Sequence, residues 1–108
     1  MYEGNIVNLQ MEKIIAADEI FDDKTHHCQV FKYEIEDDDI YLQLKEEDLK
    51  AISLNAKYRC YILSKTETLL CMGVVKERYQ CEHGNMLKFH IQNGFYSTPE
   101  INESINRK

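Results

Sequence analysis

Residues 57–93 constrain this chain more than any other stretch. Lys57-Tyr58-Arg59-Cys60-Tyr61-Ile62-Leu63, Leu69-Leu70-Cys71-Met72-Gly73-Val74-Val75 and Met86-Leu87-Lys88-Phe89-His90-Ile91 are apolar-rich runs of strand length, divided by polar turns. Short runs bounded by turn formers read as strands, and three in succession make a meander. Ser64 to Thr68 is the first connection. Glu82-His83-Gly84-Asn85 is the second, where Gly84 supplies the positive φ of a tight hairpin. In the first run Tyr58, Cys60 and Ile62 alternate with Arg59, Tyr61 and Leu63, so both faces carry apolar groups and the strand reads as central or barrel-like. Gly73, in mid-strand, marks a bulge or a barrel-corner bend.

Upstream, Phe31, Tyr33 and Ile35 alternate with Lys32, Glu34 and Glu36, which predicts a half-buried strand with the first three facing the core. Asp37-Asp38-Asp39 breaks it as a solvated acidic turn. Ile40, Leu42 and Leu44 then resume the alternation, so the two segments form a hairpin. Glu46 to Leu54 changes period, with Leu49 and Ile52 three apart behind acidic residues, and predicts one or two helical turns ended by a left-handed Asn55. Residues 6–21 are ambiguous: Val7, Met11, Ile14 and Ile15 fit a helical stripe, and Ile14, Ala16, Asp18 and Ile20 a loose alternation. The turn-like Asp22-Asp23-Lys24-Thr25 favours a strand over roughly 12–20. Beyond Gly94 the periodicity fades, and residues 97–108 read as a polar, loosely attached tail.

A chain of 108 residues holds one core. The expectation is a single all-β, mainly antiparallel domain over residues 1–96: a small six-stranded split barrel with one short helical insert. The net charge of −6 argues against a general nucleic-acid binder, although Lys57, Arg59, Lys65, Lys76, Arg78 and Lys88 fall in or beside the meander. The N-terminus has no basic segment leading into an apolar core, and no run is long and apolar enough for a membrane span, so the reading is a cytoplasmic protein. Cys28, Cys60, Cys71 and Cys81 then read as reduced thiols.

His26, Cys28, Cys81 and His83 have zinc-ligand side chains, but the C-x2-C spacing of structural zinc is missing, and two unrelated clusters are the better reading. The runs Asp22-Asp23 and Asp37-Asp38-Asp39 lack EF-hand spacing. No G-x-S-x-G elbow surrounds Ser53, Ser64, Ser97 or Ser104. The expectation is no enzyme, no cofactor and no metal, with a metal- or thiol-dependent enzyme around Cys81 and His83 as the remote alternative. The seven tyrosines are the more informative excess. Arg59 with Tyr61, and Arg78 with Tyr79, are the candidate interaction surface, since Tyr and Arg serve protein contacts. The same pairs on an OB-like barrel would stack single-stranded nucleic acid, the second reading.

The order Cys28-Gln29-Val30-Phe31, Glu36 to Leu42, Ile52 to Ile62, Gly73 to Tyr79 and Gly94-Phe95-Tyr96 resembles the PilZN domains, split barrels that precede PilZ domains in flagellar-brake-like bacterial proteins. The resemblance implies a cytosolic barrel that acts by contact, on another protein or on its own copy, in cyclic-di-GMP or motility signalling. The chain departs from nucleotide-binding PilZ domains in lacking the R-x-x-x-R arm and the D-x-S-x-x-G turn. The resemblance therefore implies no ligand residues here.

Overall fold

The computed structural model describes residues 2–17, 19–46 and 48–96. Over those residues the chain forms six strands: β1 (Ile6–Ile14), β2 (Thr25–Glu34), β3 (Asp39–Leu44), β4 (Ala56–Leu63), β5 (Thr68–Cys81) and β6 (Gly84–Tyr96). They close into an antiparallel barrel in the order β1-β2-β3-β6-β5-β4. Two three-stranded meanders are thus joined first to first and last to last. The protein is all-β, as its alternating runs require, and closure gives each strand a paired neighbour on both sides. The tail expected over 97–108 lies outside the described residues.

Period-two patterning supplies the core. Val7 and Leu9 of β1, Cys28 and Val30 of β2, Ile40 and Leu42 of β3, Tyr58, Cys60 and Ile62 of β4, Cys71 and Val75 of β5, and Leu87 and Phe89 of β6 are all buried in one cluster. Each such side chain contributes on the order of 2 kcal/mol on leaving water. Arg59 and Tyr61 are half-buried and Leu63 is exposed, so β4 has one core face rather than the two covered faces expected.

Several local expectations are corrected. The N-terminal strand runs over Ile6–Ile14 instead of 12–20, because Val7, Leu9 and Met11 alternate into the core while the chain after Ile14 turns away. In β2 the register slips between Val30 and Lys32. Phe31 sits at that bulge and is exposed rather than core-facing, and Ile35 is exposed as well. Asp39 is buried, not solvated: its carboxylate holds His90 Nδ1 at 2.9 Å and lies 3.9 Å from Lys88 Nζ. The helical insert shrinks to one turn of 3-10 helix, Leu49–Ala51, with Asp48 accepting from the Lys50 amide. A second such turn, Ile35–Asp37, ends on a left-handed Asp38. Asn55 is not left-handed; its carbonyl accepts from the amides of Ile15 and Ala16.

The connection from β3 to β4 decides how one barrel end is closed. These strands are not neighbours, so residues 45–55 must cross the end. Ile52 plugs it, fully buried in the core cluster. The segment is tied down by the Ser53 amide donating to Tyr58 Oη at 2.9 Å, by Asn85 Nδ2 donating to the Glu46 carbonyl at 3.0 Å, and by the Arg78 guanidinium donating to the Ile52 carbonyl. Ile52→Ala is expected to cost about 2–5 kcal/mol through the cavity it opens. Urea unfolding checks this, and a loss under about 1 kcal/mol would show that Ile52 is not the plug. At the other end Tyr2, Tyr33 and Phe95 pack together, with ring centroids 6.0 to 6.2 Å apart.

Candidate functional site

The four residues expected to form an interaction surface divide into two places. Arg59 and Tyr61 point outward from β4, since Tyr58, Cys60 and Ile62 fill the inward positions. Arg59 Nε lies 3.4 Å from Glu12 Oε1 on β1. Its guanidinium is held in the charged form first by a hydrogen bond to Tyr61, against the pull of burial, and further by Glu12. Arg78 instead turns towards the barrel end and the Ile52 carbonyl. Tyr79 pairs with Met86 on the outer face of the β5–β6 hairpin. Arg59 pairs with Met72, seven residues before Tyr79 on β5. At the ordinary strand rise that places the two pairs roughly 20 Å apart along the barrel. Both arginines are engaged by protein groups, Arg59 by Glu12 and Arg78 by the Ile52 carbonyl.

What the fold builds around Arg59 and Tyr61 is a mixed face, with Asn8 and Gln10 on the β1 side and Leu70 and Met72 on the β5 side. Ile6 pairs with Leu63, and Tyr61 lies between Asn8 and Leu70. Leu70 in turn pairs with Tyr96, and Met72 with Asn93. Ile6, Leu63 and Tyr96 are 57%, 37% and 43% exposed. This outer face of β1, β4, β5 and β6 therefore offers aliphatic and aromatic groups around one ion-paired guanidinium. Leu63 was within reach of sequence reasoning as the last outward residue of β4. Ile6 and Tyr96 were not, because they join through pairings far apart in the chain.

The zinc-type residues do not converge. Cys28 faces the core, its thiol pushed up to about 12 by burial and then by Glu46. Cys60 is held well above the ordinary thiol range by a side-chain hydrogen bond with Cys71 and by burial. Such thiols are poor nucleophiles. Cys81 is exposed and accepts the His83 amide at 3.4 Å, while the His83 ring packs on Phe31 at 4.7 Å. Among the described residues no group of three His, Cys, Asp or Glu side chains is arranged to hold a metal.

His26 has a different role, unseen in the sequence. It is buried, with Nε2 2.5 Å from Asp22 Oδ2 and Nδ1 2.8 Å from Glu46 Oε1. Ionised carboxylates only accept, so both ring nitrogens carry protons and the ring is an imidazolium. Burial alone would favour the neutral ring, but the bonds to Glu46 and then Asp22 outweigh it and raise its pKa. Burial likewise opposes ionisation of both carboxylates, yet their bonds to His26 keep each below its usual range. Glu46 also accepts the His27 amide at 2.9 Å. The triad fastens the 15–24 loop and the end-closing segment to β2.

Comparison with protein families, with curated proteins and with solved structures finds no match to this chain. The fold thus stands on its own geometry: a six-stranded closed antiparallel barrel. Among the described residues no helix is long and apolar enough to cross a membrane.

Proposed function

We propose that this chain is a non-enzymatic protein-contact module whose partner docks on the outer face of β4. The observation that carries this reading is the outward placement of Arg59 and Tyr61 beside the exposed Ile6, Leu63 and Tyr96. Tyr and Arg are the side chains that concentrate binding energy at interfaces, and aliphatic neighbours exclude water around them. The likeness of the sequence to PilZN domains supports the same reading and extends it to a cytoplasmic barrel in bacterial cyclic-di-GMP or motility signalling. On that reading the nucleotide is bound elsewhere, since the arginine arm and turn motif are lacking.

A photo-crosslinking amino acid in place of Tyr61, introduced in the native cell, is expected to trap a discrete adduct with one other protein. The same group in place of Tyr41, on a different face, is expected not to trap it. An adduct of twice the chain's mass would identify a second copy as the partner. If position 61 yields no adduct, or no more than position 41, the reading is wrong.

A further inference from the structure

We infer that the loop between β1 and β2 presents Ile20 and Phe21 as apolar contacts for a segment of a partner protein that carries Lys or Arg beside its own aliphatic and aromatic residues. This rests on the contact-module reading but uses a different surface from the Tyr61 face. Ile20 is 87% exposed, the highest value for a large apolar side chain among the described residues, and Phe21 is 51% exposed. Burying either side chain further would stabilise the chain, and the fold leaves both in water.

The loop that carries them is fastened on both sides. Before the pair, the amides of Ile15 and Ala16 donate to the Asn55 carbonyl at 2.8 and 3.4 Å, and the Glu19 amide donates to the Ala16 carbonyl at 3.3 Å. Glu19 Oε1 accepts from Ser53 Oγ at 3.4 Å and Asn55 Nδ2 at 3.3 Å. After the pair, the Asp22 amide meets Met11 Sδ at 3.3 Å, Asp22 Oδ1 accepts the Lys24 amide at 2.9 Å, and Asp22 Oδ2 holds the buried His26. Only the two apolar residues between these anchors project. Residues 19–22, held in place before binding, lose less conformational freedom on binding.

The chemistry of the partner follows from the flanks. Glu19 and Asp23 flank the pair, with Asp22 already paired to His26 and Lys24 as the near cation, and the whole chain carries a net charge of −6. A partner segment carrying Lys or Arg complements this field, whereas a second copy of the same acidic loop is repelled by it. An anionic membrane is disfavoured for the same reason, since loops that enter membranes set basic residues beside their apolar ones.

The test is a phage-displayed peptide library selected on the intact chain at low salt. The expected peptides combine Lys or Arg with aliphatic or aromatic residues. They should bind an Ile20→Ser, Phe21→Ser double variant at least about tenfold more weakly, weaken as salt rises, and bind Tyr61→Ser unchanged. Both replaced side chains are exposed, so the double variant should keep the wild-type thermal midpoint, which confirms that the fold is intact. No enriched peptide, acidic peptides, or equal binding to the double variant overturns the inference. Peptides that depend on Tyr61 but not on the pair would overturn it while supporting the β4 face. Binding of anionic vesicles through the pair would overturn it in favour of a membrane.

Discussion

Gly73→Ala is expected to destabilise the barrel by about 3 kcal/mol or more, above the usual cost of adding one methyl to a packed interior. A Cβ at this position would lie 1.9 Å from the His90 carbonyl oxygen and 2.9 Å from its carbon. Those are backbone atoms of the paired strand, so relief requires β5 and β6 to separate where their register already shifts between Met72 and Gly73. A flexible side chain could swing away, but a carbonyl in a ladder cannot. Gly94→Ala is the internal control. Its Cβ would meet only Ile91 Cγ2 at 3.7 Å, an ordinary contact. Denaturant unfolding of both variants, with the slope compared to confirm a common unfolded state, measures the difference. A Gly73→Ala barrel within about 0.5 kcal/mol of wild type would mean that β5 and β6 do not approach closely here.

The second large effect is expected at His26. Its replacement by Leu keeps an apolar side chain in the buried site but leaves Asp22 and Glu46 facing each other without a cation. Removing one member of a buried ion pair costs about 3–5 kcal/mol. The two carboxylates retain 21% and 30% of their side-chain exposure, so screening places the loss nearer about 2–3 kcal/mol. The pH dependence carries more information than the loss. The folded pKa of His26 is raised above its ordinary 6.5, so its contribution is complete below that value and falls away as pH rises through the folded value. Asp22 and Glu46 are shifted down, so their contributions are complete above the ordinary carboxylate range and disappear as pH falls through the folded values. The triad therefore stabilises most in the mildly acidic window between the two. Wild-type stability should decline on the alkaline side of that window, and His26→Leu should lack that decline. Thermal midpoints measured from pH 5 to 9 would contradict the charged-ring assignment if the two proteins changed in parallel.

Much of the barrel was legible because its strands are half-buried ribbons with polar turns between them. Tyr58, Cys60 and Ile62, or Ile40, Leu42 and Leu44, announce a buried face wherever the chain places them. The errors came from features that alternation does not encode. Val7, Leu9 and Met11 alternate, but Val7, Met11 and Ile14 also lie on a helical stripe, and only pairing with β2 and β4 decides between them. Phe31 is turned out by a bulge that depends on its register with β3. Asp39 is buried because His90, 51 residues later, meets it.

The candidate site shows the same division. Arg59 and Tyr61 share a face by local spacing, and the strand alone fixes that. Arg78 and Tyr79 looked equivalent, yet the shift between Val75 and Glu77 turns Arg78 towards the barrel end and Tyr79 outward. The sequence by itself determined that the chain folds as short antiparallel strands around one core, since a period of two with one apolar face has few other stable solutions. Only the tertiary structure decided which exposed side chains meet. Side chains alternate with a period of two, so a slip of one residue exchanges the two faces, and the slips are set by long-range pairing that no local pattern records.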